Sequence, residues 1–134
     1  MSPRLRFHAP AAALALGTAL FLGSAWSGST PGAGPLAQAR IDAASKAFTQ
    51  YETLYKTGRV QLDSVYVWSV RWFEAQGGRK GGAGPADEHK KRMQALEAAV
   101  NAQFKSGMAS SADVAAATYY RAEAELWAFE AGRP

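Results

Sequence analysis

Cysteine is absent from the 134 residues. Disulfides, thiolate metal sites and cysteine nucleophiles are therefore excluded, and so is a lipoprotein anchor after the apolar N-terminal stretch. Histidine is nearly as scarce, with only His8 and His89. Long apolar runs are missing too: AAALALGTALFL, from Ala11 to Leu22, holds 12 residues, short of the ~20 that span a bilayer. No stretch alternates as a membrane strand would. An excess of one charge sign is also lacking in the body of the chain. From Arg40 onward there are 13 Lys and Arg against 11 Asp and Glu. That near balance argues against a polyanion-binding surface, and Lys90-Lys91-Arg92 is read as a solvated helix face, so no nucleic-acid partner is expected.

What is present begins with an address. MSPRLRFH is short and positive, the apolar stretch follows, and Gly23-Ser24-Ala25 places small residues where a signal peptidase reads. Residues 1–25 are expected to be a signal peptide cleaved after Ala25, sending the chain to the periplasm or cell envelope. The small-x-small site Ala37-Gln38-Ala39 lies too far from the apolar stretch to be preferred. The rival reading keeps residues 9–26 as an uncleaved anchor, since no charge falls between Arg6 and Arg40; membrane contact would then come only through that segment. Residues 26–39, opening WSGSTPGAGP, are expected to be a flexible tether.

Helical periodicity sets in after the tether, and the domain is expected to span residues 40–134. Ile41, Ala44, Phe48, Tyr51 and Tyr55 recur at steps of three and four, which lines them along one helix face. Gly58 ends that helix, because glycine takes the left-handed conformation without a Cβ penalty. A second helix begins near Leu62 and carries Val65, Tyr66, Trp68, Trp72 and Phe73. GGRKGGAGP, residues 77–85, is read as a linker, and Pro85 as the start of a third helix with Asp87 and Glu88 in its first turn. Met93, Leu96, Val100 and Phe104 form its stripe, and Gly107 closes it. Ser110 and Asp113, three apart, form a variant capping box that opens a fourth helix running to Ala131. The expected fold is all-α: two antiparallel hairpins, 40–77 and 85–131.

The two hairpins repeat one another. YKTGRVQLDSV at Tyr55–Val65 aligns without a gap on FKSGMASSADV at Phe104–Val114, at an offset of 49 residues. Ala44, Ala47, Tyr51 and Tyr55 map onto Met93, Leu96, Val100 and Phe104, and Glu74-Ala75 maps onto Glu123-Ala124. An internal duplication is expected, against the alternative that two alanine-rich hairpins converge on one corner. Gly58, Gly107, Ser110 and Asp113 are the structural residues of these corners.

At these positions the chain resembles outer-membrane efflux proteins of the TolC type, whose helices turn through an aromatic-x-x-Gly corner followed by a polar residue, Asp-Val or Asp-Leu, and then Ala-Glu. The second corner matches through Phe104, Gly107, Ser110, Asp113, Val114 and Glu123-Ala124. The first matches through Tyr55, Gly58, Gln61, Val65 and Glu74-Ala75, with Ser64 where Asp is expected. The likeness covers residues 44–131, rests on short motifs, and implies a shared hairpin module and an association with envelope efflux. Channels of that type have much longer helices and membrane strands, so conduction by this chain is not implied.

The second and fourth helices each carry two apolar stripes. On the fourth, Ala117, Tyr120, Ala124, Trp127 and Ala131 form one, and Ala115, Tyr119, Ala122, Leu126 and Phe129 the other. A simple two-helix contact needs only one. Two readings stay open: inner helices of a bundle with aromatic residues at its boundary, or one face meeting a second copy or an envelope protein. The partner-binding side chains expected are Tyr66, Phe73, Tyr119, Leu126 and Phe129.

Chemistry is sparse. Asp87, Glu88 and His89 fan out about 100° apart on a helix and do not converge, so His89 is read as part of a solvated first turn. Metal binding there would need Glu123 or Glu125 as further ligands. Those two glutamates face different ways, no serine has a nucleophile motif, and the glycine-rich linker lacks the GK[ST] ending of a phosphate loop. No catalytic residue, metal ligand or cofactor is assigned. The expected function is a non-enzymatic, exported scaffold or protein-binding module. The alternatives are an efflux accessory, implied by the resemblance, and a periplasmic metal or small-ligand sensor around His89.

Overall fold

Apolar residues at three- and four-residue steps need a partner for one face of every helix. The computed structural model describes residues 33–133 and meets that need with α1 (Ala33–Lys56), α2 (Leu62–Ala75), α3 (Ala83–Lys105) and α4 (Ser111–Ala131). A 3-10 turn spans Gly78–Gly81. No strand occurs among the described residues, and the fold is all-α. Residues 1–32, which hold the expected signal peptide 1–25 and the first part of the expected tether, lie outside the described residues.

α1 packs on α2 and α3 on α4, while α2 also meets α3 and α4. The buried stripe of α2 is Leu62, Val65, Ser69 and Phe73; that of α3 is Ala86, His89, Met93, Leu96 and Val100. α1 adds Ala44 and Phe48. α4 buries only Ala117 and Ala124, whose small side chains let its backbone lie close to the core. Trp68 and Trp72, on the other flank of α2, reach Tyr51 and Phe48 of α1 with ring centroids 5.8 and 5.9 Å apart. Phe104 is 47% exposed, so the α3 stripe ends one step earlier than expected.

Both hairpin corners close with the same hydrogen bonds. Gly58 N–H donates to Tyr55 O (2.9 Å) and Arg59 N–H to Leu54 O (2.9 Å); Gly107 N–H donates to Phe104 O (3.0 Å) and Met108 N–H to Gln103 O (2.8 Å). The glycines stand at φ of 68° and 75°, the left-handed cap that a Cβ would strain. Thr57 Oγ1 and Ser106 Oγ each donate to the same carbonyls, Leu54 O (3.0 Å) and Gln103 O (2.9 Å). Helix-stop chemistry alone accounts for this likeness. The corners differ at the following cap: Ser110 Oγ accepts from Asp113 N–H (3.1 Å) and Asp113 Oδ2 from Ser110 N–H (2.8 Å), whereas Gln61 makes no side-chain cap bond.

Two expected boundaries move. Residues 33–39, assigned to the tether, are the first turns of α1. The linker 77–85 is shorter than read, because α3 starts at Ala83. Pro35 and Pro85 each stand third in their helices, where a backbone N–H has no intrahelical acceptor and its loss is harmless. The rest of the linker is a packed turn: a Cβ on Gly81 would come 2.8 Å from Gln76 O, and Gly78 is buried.

Candidate interaction surface and a buried polar node

α4 turns Ala117 and Ala124 to the core, so the opposite face of the helix points away from it. Ala112, Ala115, Tyr119, Ala122, Leu126 and Phe129 recur there at steps of three and four, and all six are exposed. Tyr119 is 61%, Leu126 53% and Phe129 60% exposed. An apolar seam of this length on a helix surface is what one helix offers another. Glu123, Glu125 and Glu130 flank it, held by Tyr66 and Tyr119, by Arg121 and Gln94, and by Arg79 respectively.

The other two expected partner residues lie inside. Phe73 is 3% exposed and stacks on His89 (5.3 Å) and Trp127 (5.6 Å), so it cannot meet a partner. Tyr66 is half-buried, its ring stacked on Tyr120 at 3.9 Å and 10°. Tyr66 donates its hydroxyl to Glu123, and Tyr120 donates to Asp63. Both pairings join α2 and α4 in the same sense, which fixes these helices as parallel neighbours. Burial, and then the adjacent Glu123 for Tyr66 and Asp63 for Tyr120, push both hydroxyls well above the usual tyrosine range. Two stripes on one helix do not reveal which neighbour each meets; in α2 both face the chain's own helices.

His89 is fully buried, not part of a solvated turn. It stands four residues before Met93 and seven before Leu96, on the α3 stripe itself; that spacing was the signal that places it inward. Ser69 Oγ lies 2.9 Å from His89 Nδ1, and Arg92 Nε donates to the same Oγ at 2.9 Å. Arginine has only donors, so Ser69 Oγ is the acceptor in that bond and keeps its own proton available to Nδ1. Nε2 is buried without a hydrogen-bond partner among the described residues. A second proton would place a cation in this interior beside Arg92. Burial first, and Arg92 second, lower the imidazole to about 4. Arg92 itself is lowered to about 10 by burial, against Glu88, which raises it. Its guanidinium lies 4.1 Å over the Trp72 ring and 5.8 Å from that of Phe48.

This serine–histidine pair is not arranged as a nucleophile. Both residues have no exposure, the serine already accepts from a cation, and no carboxylate orients the ring. Among the described residues no group of three or more His, Asp or Glu side chains is placed to hold a metal; Glu123 and Glu125 are engaged elsewhere. A shallow cleft of about 610 Å³ lies between the two corners, with Tyr55, Gln61, Asp63, Gln103, Met108 and Asp113 in its wall. It holds no histidine or serine, and Tyr55, pushed up by burial and Asp113, is a poor base.

Compared with known families, curated proteins and solved structures, the chain matches none.

Proposed function

We propose that this chain is a non-enzymatic binding module that presents α4 as a docking helix. The observation that carries the reading is the exposed seam Ala112–Phe129 on a helix whose other face is fully used by the core. An enzyme needs groups that reach solvent together, and the buried Ser69–His89–Arg92 node offers none. The charge, apolar stretch and small residues of the N-terminal segment support export to the cell envelope as the setting. The TolC-type resemblance supports a helix-bearing envelope protein as one class of partner. A sensor built on His89 draws no support from a fully buried ring packed against Phe73 and Trp127.

The test is the size of the native complex. In cells that make the chain, it should elute well above its own mass. Tyr119→Glu with Leu126→Glu should return it to single-chain size, while Ala95→Glu, on the exposed side of α3, should not. A complex unchanged by the α4 pair would overturn the reading.

A further inference from the structure

Resting on the reading of α4 as a docking helix, we propose that the seam pairs with α4 of a second copy, antiparallel, with Ala112 of one chain opposite Phe129 of the other.

The seam is self-complementary in that register alone. Along α4 it reads Ala112, Ala115, Tyr119, Ala122, Leu126, Phe129, three small residues and three large. Reversing one copy sets Phe129 against Ala112, Leu126 against Ala115 and Tyr119 against Ala122. The twofold axis repeats each contact, so all six layers join a large side chain to a small one over the length of the helix. That is the isologous form of a twofold interface, and knobs fill holes without crowding. In a parallel pair each residue meets itself. Alanine layers would leave gaps between crowded Tyr119, Leu126 and Phe129 layers. Sliding the antiparallel pair by seven residues sets Tyr119 on Phe129 and shortens the overlap.

Flanking charge selects the same arrangement. In the parallel pair Glu125 of one copy approaches Glu130 of the other on both sides of the seam, and like charges there are repulsive. In the antiparallel register Glu123 neighbours Ala116 and Glu125 neighbours Thr118 of the second copy, so no like pair forms. The core-facing Ala117 and Ala124 lie on the far side of the helix, and α2 and α3 flank α4 from behind, which leaves the approach open among the described residues. A contact made by one helix per chain is small beside the ~1,600 Å² of standard interfaces, so a weak, reversible dimer is expected.

The absence of native cysteine makes the register directly readable. Full-length chains carrying Ala115→Cys or Leu126→Cys are oxidised separately and mixed, after circular dichroism confirms parental helix content. Facing seam positions come within disulfide reach, so the mixture should form cross-linked dimer about tenfold faster than either variant alone, through the raised local concentration of the facing pair. Equally fast linking by Ala115→Cys alone would mean a parallel pair and overturn the register. No linking, together with single-chain mass for the parent in light scattering, would overturn self-pairing. The docking reading would then still stand or fall by the native complex and its response to Tyr119→Glu with Leu126→Glu.

Discussion

Tyr66 and Tyr120 stack at 3.9 Å and 10°, and each gives its hydroxyl to a carboxylate on the helix of the other. This crossed pair ties α2 to α4 and so holds the outer seam of α4 outward. Removing the Tyr66 hydroxyl leaves half-buried Glu123 with only Tyr119 as donor, and removing the Tyr120 hydroxyl breaks the bond that ties exposed Asp63 of α2 to α4. Tyr66→Phe and Tyr120→Phe are each expected to cost about 1–2 kcal/mol. Because the two share a stack, a double-mutant cycle by denaturant unfolding should show non-additivity of about 0.5 kcal/mol or more.

The same hydroxyls set an alkaline limit. Their folded values lie above the ordinary tyrosine value of 10.0, so above pH 10 the folded chain holds protons that the unfolded chain releases. Stability is then present below pH 10 and lost as pH climbs beyond it. Thermal melts should show a midpoint falling above pH 10, less steeply in the double Phe variant.

His89 sets an acid limit of opposite sign. It stays neutral in the fold down to about pH 4, against 6.5 when free, so between these values the unfolded chain binds the extra proton. Stability is full above pH 6.5 and falls toward pH 4, by on the order of 3 kcal/mol from this group. Melts of the parent and His89→Gln across pH 4–7 check this; the variant should lose most of that slope.

The corners were legible in the sequence because their chemistry is local. Gly58, Gly107 and the Ser110–Asp113 box each act within five residues, and each lies where the spacing put it. His89 was misplaced because neighbouring Asp87 and Glu88 suggested solvent, while its position on the Met93–Leu96 stripe carried the true direction. Phe73 and Tyr66 were offered to a partner because periodicity counts the apolar faces of a helix without saying which neighbour fills each. Tyr119, Leu126 and Phe129 share that stripe logic, and they are exposed because α4 lies at the edge, a consequence of chain order rather than of any one residue.

The cap difference between the corners gives a further check. Ser110→Ala should cost about 1 kcal/mol, whereas Gln61→Ala, without a cap bond, should be close to neutral. Chemical denaturation of the two variants side by side measures this.

Met93 is fully buried in the centre of the core. Met93→Ala should destabilise by about 2–5 kcal/mol through the cavity it leaves, while Met108→Ala, at 72% exposure, should change little. Urea midpoints of the two variants decide it.

The outer face of α4 as a docking surface is tested most directly by a photo-reactive residue placed at Leu126, and in a second strain at Ala95 of α3, in cells that make the chain. One discrete adduct is expected from Leu126 and none from Ala95, with an adduct of twice the chain's mass marking a second copy. No adduct at Leu126, or equal adducts at both positions, would contradict it.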